Sequence, residues 1–523
     1  MVFLQHVVPK GFCAIVVLAS VLPQSALLAA AEDSGGVSGV VFLDNNGNGI
    51  RDRDEPGFAG VVVTLFGIKS DASSFYLTTC TNSEGKYAFA GALIGHGSNF
   101  TVSTGGAPLA AALPTTYRPL RTFYTATDGN DKNPGTHERP FRTIGRAIPM
   151  LQAGDLLYIR QGEYREYISS EKTSLGAGTG WDCPIVVAGM PGEIVVILPP
   201  DREGSDLLIN LKSKQQQYLV FDNLVLDAED VTLPFRSQSR DGKEPPSHIR
   251  LINCELKNSK GSAVFLLGED HQFINCHIHN SGHSNKDHGL YVSGGRNLIQ
   301  GCDIHHNSGW GIYLHNGSAE TASNNVIRGN RIHNNGLAGG GYGIGLHTGR
   351  KNLVYDNVIW GNPFGIVVAN GGSEEMIFNN TIHGNRGPGI AIAADDETRA
   401  NLVRNNITVG NRDPNLLNQS KTTVCDHNLL ASNPHFRDPK ANDFHLQPGS
   451  VAIDAGVAIP EVRSDHDGIL RPQGKSYDLG AYEYSDDSFV PATSTYSDVF
   501  LSGRTYPVNI GFMTKAKKAP YHE

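Results

Sequence analysis

The chain has no surplus of positive charge. Its 523 residues hold 43 Lys and Arg against 52 Asp and Glu, for a net charge of −9. The basic stripe that holds nucleic acid is therefore missing, and acidic polymers are not attracted to the molecule as a whole; binding one would need a local cationic groove. Beyond residue 31 no run is long and apolar enough to cross a bilayer. Glycine (60) and proline (27) are abundant but lack a collagen period. Helical periodicity is also missing from the centre of the chain. The apolar phrases between Leu251 and Asn411 are too short for helices and alternate as strands do.

What is present there is a repeat. One phrase reads Cys254-Glu255-Leu256, Cys276-His277-Ile278, Cys302-Asp303-Ile304, Asn330-Arg331-Ile332, Asn357-Val358-Ile359, Asn380-Thr381-Ile382 and Asn406-Ile407-Thr408, at intervals of 22 to 28 residues. Between the copies lies a second phrase: Gly289-Leu290-Tyr291-Val292, Gly311-Ile312-Tyr313-Leu314, Gly343-Ile344-Gly345-Leu346, Gly365-Ile366-Val367-Val368 and Gly389-Ile390-Ala391-Ile392. Such a period marks a repeat architecture. One unit cannot bury its own apolar face, but a stack of units can. The expected fold is all-β, a parallel β-helix with one coil per repeat. Seven coils cover roughly 30 Å at a rung spacing of about 4.8 Å. Asn280, Asn307, Asn335, Asn362, Asn385 and Asn411 recur at nearly one turn of successive coils and are expected to form an asparagine ladder. Cys254, Cys276 and Cys302 stack too far apart for disulfides, so they are expected as buried free thiols.

Residues 1–31 read as a secretory signal: His6 and Lys10, an apolar run over Ala14–Leu22, then Ala29-Ala30-Ala31. Shortly after it Asp44, Asn46, Asn48, Gly49, Ile50, Asp52 and Glu55 occupy positions 1, 3, 5, 6, 7, 9 and 12 of a calcium-loop template. This spacing wraps oxygen ligands around one Ca²⁺, with Gly49 allowing the bend and Ile50 lending its carbonyl. The flanks are strand-like. With Val41-Phe42-Leu43-Asp44, Glu55-Pro56-Gly57 and Thr81-Asn82-Ser83-Glu84-Gly85-Lys86-Tyr87-Ala88-Phe89, the stretch resembles the B-type domains of bacterial serine-aspartate surface adhesins. The resemblance implies a calcium-stiffened immunoglobulin-like β-sandwich serving as a spacer or presentation module.

Further on, Phe141, Ile144, Ala147, Ile148 and Leu151 keep helical spacing, a short amphipathic helix that would cover the open first coil. Asp128-Gly129-Asn130-Asp131 reads as a turn. Those residues, with Asn133-Pro134-Gly135-Thr136, Pro140-Phe141-Arg142-Thr143-Ile144 and Arg160-Gln161-Gly162-Glu163-Tyr164, look like the N-terminal cap of secreted right-handed β-helix proteins of the pectate-lyase-like superfamily. That resemblance implies a right-handed coil and action on polysaccharide. Polysaccharide lyase family 9 enzymes in this superfamily use a calcium-binding Asp cluster and a Lys base. Here the corresponding stretch, Asn285-Lys286-Asp287-His288-Gly289, has a single Asp, and the Asp-Pro-His segment of mannuronan epimerases is absent.

Alternation turns Tyr291, Tyr313, Ser293, His315 and His347 outward on one sheet, with Lys286, Asp287 and His288 just before it and Arg350-Lys351 just after. A uronate lyase needs a cation on the carboxylate, a base for the neighbouring proton and a donor to the leaving oxygen. The candidates are Arg350 or Lys286 as cation, His288 or His315 as base, and Tyr291 or Tyr313 as donor, with His347 a further candidate catalytic residue in the same patch. A second row, His279, His305, His333 and His383, tracks the repeat and is read as its by-product, with Asp303 its only interspersed carboxylate. Trp310 and Trp360 suit either sugar stacking or coil packing. Near the C-terminus, Asp454, Asp465, Asp467, Arg471 and Asp478 lie in a dense run that resembles a terminal segment of secreted β-helices. They are expected to bond the free edge of the last coil.

The expected organisation is a signal peptide (1–31), a calcium-binding B-type β-sandwich (32–105), a linker (106–120), a right-handed parallel β-helix with an N-terminal cap (121–430), a C-terminal cap segment (431–485) and a tail (486–523). The expected protein is a secreted monomer with Ca²⁺ as its cofactor and an extracellular, uronate-containing polysaccharide as its partner, cleaved by β-elimination. The alternatives are a uronate C5-epimerase and a non-catalytic polysaccharide-binding or adhesion protein, because the fold alone does not choose a reaction.

Overall fold

The computed structural model describes residues 119–484, apart from 170–174, 201–206, 240–243, 316–321, 396, 413 and 432, together with the strands within 2–104. The chain divides into two compact units between Thr116 and Tyr117. In the first, Val2–Leu4, Ala14–Val21, Val37–Asp44 and Lys86–Phe89 form one antiparallel sheet, and Ser74–Cys80, Val62–Ile68 and Asn99–Thr104 form another. Asp44 ends its strand. The other expected calcium ligands, Asn46, Asn48, Ile50, Asp52 and Glu55, lie outside the described residues, as does the 486–523 tail.

The second unit is a parallel β-solenoid of about ten turns, with three sheets of 12, 10 and 9 strands. Within a coil, the first-sheet strand Gln272–Ile274 leads after two residues to the second-sheet strand His277–His279. The third-sheet strand Leu290–Val292 follows, and Leu298–Gln300 begins the next coil. The coils start earlier than the legible repeat: Asp155–Ile159, Ile185–Gly189 and Gln217–Asp222 already pair in the first sheet. Each outward pair of side chains brackets an inward aliphatic. One inward column runs Leu226, Leu256, Ile278, Ile304, Ile332, Ile359 and Ile382, all fully buried. Burying each such side chain contributes about 1.5–3 kcal/mol.

The corners are set by two adjacent columns. Between the first and second sheets the chain turns through left-handed residues, Asn253, Asn275, Gly301, Gly329, Asp356, Asn379, Asn405 and His427. Asn, Asp and Gly tolerate that conformation best. The next residue points inward: Cys254, Cys276 and Cys302, then Asn330, Asn357, Asn380, Asn406 and Asn428. The three thiols are free and buried, as expected. The asparagines form a ladder, Asn330 N–H donating to Asn357 Oδ1 at 3.0 Å and Asn357 N–H to Asn380 Oδ1 at 3.0 Å.

The expected ladder exists at the second corner, through Asn307, Asn335, Asn362, Asn385 and Asn411. Asn280 does not belong to it. It holds the left-handed turn position (φ 53°) and is exposed. Ser281 takes the rung instead, its Oγ accepting from Ser259 N–H at 3.3 Å. A third ladder, Asn297, Asn325, Asn352, Glu375 and Asn401, precedes the first-sheet strands.

At the open end, Phe141, Ile144, Ala147, Ile148 and Leu151 are all buried over the first coil. The helix is a single turn, Ile144–Ala147, continued by a tighter turn over Ile148–Met150. Thr143 caps it, and Glu166 accepts from the N–H groups of Ile144 (3.1 Å) and Gly145 (2.9 Å). Asp131 accepts from Arg142 N–H and Thr143 N–H, both at 2.9 Å.

Among the described residues, the Asp and Arg side chains of the C-terminal segment do not bond the last coil's free edge as expected, although Val457 and Gly480 bond Asn405 at the corner before the terminal strand Ile407–Val409. The segment packs along the flank, over the corner between the first and second sheets. Arg471, with a fully buried side chain, pairs with Asp356 at 3.0 Å and Glu483 at 2.7 Å. Asn379 donates to Asp478 O, and Ala481 N–H donates to Thr381 Oγ1. Phe436, Phe444 and Leu446 cover Trp360 and Val409 on the second sheet.

Candidate functional site

Strand register places Phe265, Tyr291, Tyr313, Gly345 and Val367 in one outward column of the third sheet. Phe265 and Tyr291 stack with centroids 4.8 Å apart and planes 1° apart, and Tyr291 meets Tyr313 edge to face at 5.5 Å. The column lacks a ring at Gly345, and Trp310 fills the gap. A Cβ there would lie 2.6 Å from the indole Cζ3, so only glycine lets the ring lie on the strand. Trp310 then contacts Tyr313 (3.8 Å) and Tyr342 (4.3 Å), and Tyr342 meets Phe364 at 5.4 Å. The result is an aromatic wall across five coils, roughly 19 Å along the axis at about 4.8 Å per rung. These rings are half-buried and keep part of their surface in solvent.

Three of the expected residues are imidazoles set into this wall. His288 is buried, and its Nδ1 accepts the Trp310 backbone N–H at 3.1 Å. Its lone pair is thus committed to holding the loop that presents Trp310, which leaves it poorly placed as a base. His347 is also buried. Its Nδ1 accepts from the Asn370 amide at 3.0 Å, while its Nε2 is buried without a hydrogen-bond partner beside the Trp310 and Tyr313 rings at 5.1 and 5.3 Å. His315 is the half-exposed one. It stacks on Tyr313 at 5.1 Å with planes 3° apart, and its Nδ1 lies 3.4 Å from Thr348 Oγ1.

Burial dominates the electrostatics. It pulls His288 and His347 down to about 4 and lowers His315. Burial and then the neighbouring Tyr291 and Tyr342 push Tyr313 up to about 12, and burial raises Tyr291. At neutral pH the imidazoles are neutral and the phenols protonated, so the wall carries no charge. Such a surface can stack sugar rings, accept a proton at an imidazole and donate one from a phenol.

The structure does not bring the two cations into this ring cluster. Lys286 is exposed on the preceding loop, where the Asp287 carboxylate folds back onto Ser284 N–H (2.8 Å) and His283 N–H (3.1 Å). Arg350 sits at the next corner, its N–H donating to Ser323 Oγ at 3.1 Å. Among the described residues neither cation stacks on the aromatic rings. Sequence reasoning passed over Phe265, Tyr342 and Phe364. Phe265 could have been found, since it holds in Val264–Leu266 the place Tyr291 holds in Leu290–Val292. Trp360 is a packing residue, stacked on His333 at 4.1 Å and capped by Phe444 at 5.9 Å.

Comparison with known proteins agrees with the architecture. Residues 262–438 match the model of a right handed beta helix region, 35–111 that of an SdrD B-like domain, and 127–172 that of a protein family of unknown function (DUF1565). The crystal structure of pectate lyase Pel9A is similar at a TM-score of 0.53 and 18% identity, covering 73% of this chain and 100% of that one. The A-module of the Azotobacter vinelandii mannuronan C-5 epimerase AlgE4 is similar at a TM-score of 0.41 and 16% identity, covering 59% of this chain and 98% of that one. The uncharacterized protein YwoF of Bacillus subtilis (strain 168) is 43% identical over 44 residues, 8% of this chain and 9% of that protein. The chain therefore spans a small part of that relative's length. The fold is a right-handed parallel β-helix. Among the described residues no helix is long and apolar enough to cross a membrane.

Proposed function

We propose that this is a secreted protein that binds an extracellular polysaccharide along its third sheet and cleaves a uronate polymer by β-elimination. The observation that carries the reading is the uncharged aromatic wall running along the coil axis, with a half-exposed neutral imidazole, His315, stacked on a protonated phenol, Tyr313. The likeness in fold to a pectate lyase is in keeping with it. In this scheme sugars stack on Phe265, Tyr291, Trp310 and Tyr342. His315 takes the proton next to the carboxylate, and Tyr313 or Tyr291 donates to the leaving oxygen. Lys286 or Arg350 balances the carboxylate as charge builds on it. His288 and His347 position the wall. The N-terminal loop of Asp44, Asn46, Asn48, Ile50, Asp52 and Glu55 is proposed to hold Ca²⁺, remote from this chemistry in sequence.

A second reading, binding without cleavage, is favoured by the placement of Lys286 and Arg350 on the loop and corner beside the rings, not against them. Incubation with pectate and alginate, followed by absorbance of the unsaturated product, separates the two. A rise that falls by about 10²–10⁴-fold in His315→Ala supports the lyase. No rise but an altered sugar composition supports an epimerase using the same proton abstraction. Binding with neither change leaves the non-catalytic reading. Binding and turnover that survive Trp310→Ala and Tyr313→Phe unchanged would place the site elsewhere.

A further inference from the structure

The second sheet carries a different cluster on its outer face. Two outward columns adjoin there: His277, Asp303 and Arg331 in one, and Lys257, His279, His305, His333 and Trp360 in the other. Its histidine row was expected to be a by-product of duplication with Asp303 as its only carboxylate. The structure adds two residues to that picture. His277 belongs to the neighbouring column, and its Nε2 reaches diagonally to within 2.5 Å of His305 Nε2. Glu255, one coil earlier, supplies a second carboxylate, 3.0 Å from His279 Nε2 and 2.9 Å from Lys257 Nζ.

The Glu255 contact decides the tautomer of His279. With the proton on Nε2 shared with the carboxylate, the lone pair lies on Nδ1. That Nδ1 is buried and has no hydrogen-bond partner. A buried, unpartnered acceptor on a ring whose far nitrogen donates to a carboxylate is the arrangement of a metal-ligating histidine. One nitrogen from each of His277, His279 and His305 lies within 4.8 Å of the others. A second trio, Asp303, His305 and His333, shares His305, and Asp303 Oδ1 is 3.0 Å from His333 Nε2. His277 is half-buried, which leaves a path from solvent.

We propose that His277, His279 and His305 form a binding site for a divalent transition-metal ion, with Glu255 orienting His279 and Asp303 supplying nearby negative charge. Three imidazoles select zinc or copper over calcium and magnesium, which prefer oxygen ligands. Three protein ligands also leave a coordination position for Asp303 or water. The site joins two successive coils, so the ion would staple the second sheet. It lies on a different sheet from the aromatic wall and does not depend on the polysaccharide reading.

The test is titration of the full chain, stripped with a chelator, with Zn²⁺ in excess Ca²⁺, using a chromophoric competitor. One Zn²⁺ per chain is expected, with a rise in Tm. His305→Gln and His279→Gln should each weaken binding at least tenfold. Glu255→Gln keeps all three ligands and should weaken it about 10–100-fold, which preserves the test if a histidine variant fails to fold. His383→Gln, on a later rung of the same column, should leave the affinity unchanged. Absence of stoichiometric Zn²⁺ binding by the folded protein would overturn the site. So would affinity that is indifferent to both His305→Gln and Glu255→Gln.

Discussion

Glu375 is the one carboxyl in an otherwise amide ladder, and replacing it with glutamine should make the protein more stable at alkaline pH. Its side chain is fully buried. The two carboxyl oxygens accept Asn352 N–H at 2.9 Å and Asn352 Nδ2–H at 3.0 Å. Those bonds favour the charged form, but burial outweighs them, and nearby Glu374 adds repulsion, so the group is pushed up from 4.5 to about 8. The native state therefore holds this proton more tightly than the unfolded chain does. The stabilisation is fully present below pH 4.5, declines as pH rises, and is gone above about pH 8. At 1.36 kcal/mol per pH unit this amounts to about 5 kcal/mol across the window. A glutamine does not titrate. Its single carbonyl can accept both Asn352 donors, as Asn352 Oδ1 does for Asn325 N–H and Nδ2–H. Urea unfolding at pH 4.5, 7 and 9 should show Glu375→Gln near wild type in acid and several kcal/mol more stable at pH 9. Asp356 and Asp478, both raised by burial to about 7, titrate in both proteins and cancel in the difference. A wild-type–variant difference that stays constant from pH 4.5 to 9 would refute the reasoning.

Asn357→Ala removes two side-chain bonds donated to Ile327 O and Asn380 Oδ1 and two accepted from Asn330. Leaving those partners buried should cost about 3–4 kcal/mol by urea unfolding. Arg471→Met leaves Asp356 and Glu483 unpaired and should cost about 3–5 kcal/mol, with residues 433–484 becoming the first site of limited proteolysis. Trp310→Ala uncovers Gly345 without touching the inward columns. Its polysaccharide affinity should fall about tenfold or more, from a stacking contribution of about 1–2 kcal/mol, while far-UV circular dichroism stays unchanged.

The fold was legible because a solenoid writes its packing along the chain. Inward aliphatics such as Ile278, Ile304 and Ile332 recur in the same phrase because each sits on its predecessor. The earlier coils were less legible because their phrases depart from the repeat, as where Leu224 stands in the place that Cys254 holds one coil later, without any change in the pairing. Asn280 shows the limit of spacing alone. One residue separates an exposed left-handed turn from a buried rung, and asparagine suits both for different reasons. The placement of the C-terminal segment was out of reach, since Arg471 meets Asp356 across 115 residues and no local pattern encodes that contact.

The candidate site was half legible for a related reason. Tyr291 and Tyr313 could be aligned because they sit at one phrase position, but Trp310 lies outside the phrase and enters the column only because Gly345 is vacant. The empty place in the repeat, not the filled ones, locates the ring that joins Tyr313 to Tyr342 and makes two tyrosines into a wall. The same logic holds on the second sheet. His279, His305 and His333 are visible as a row, which is what duplication produces, and their rings stack on one another. Convergence needs a residue out of register, and His277 supplies it by reaching across to His305. In a solenoid, departures from the repeat are therefore where chemistry should be sought, because the repeat itself is already accounted for by packing.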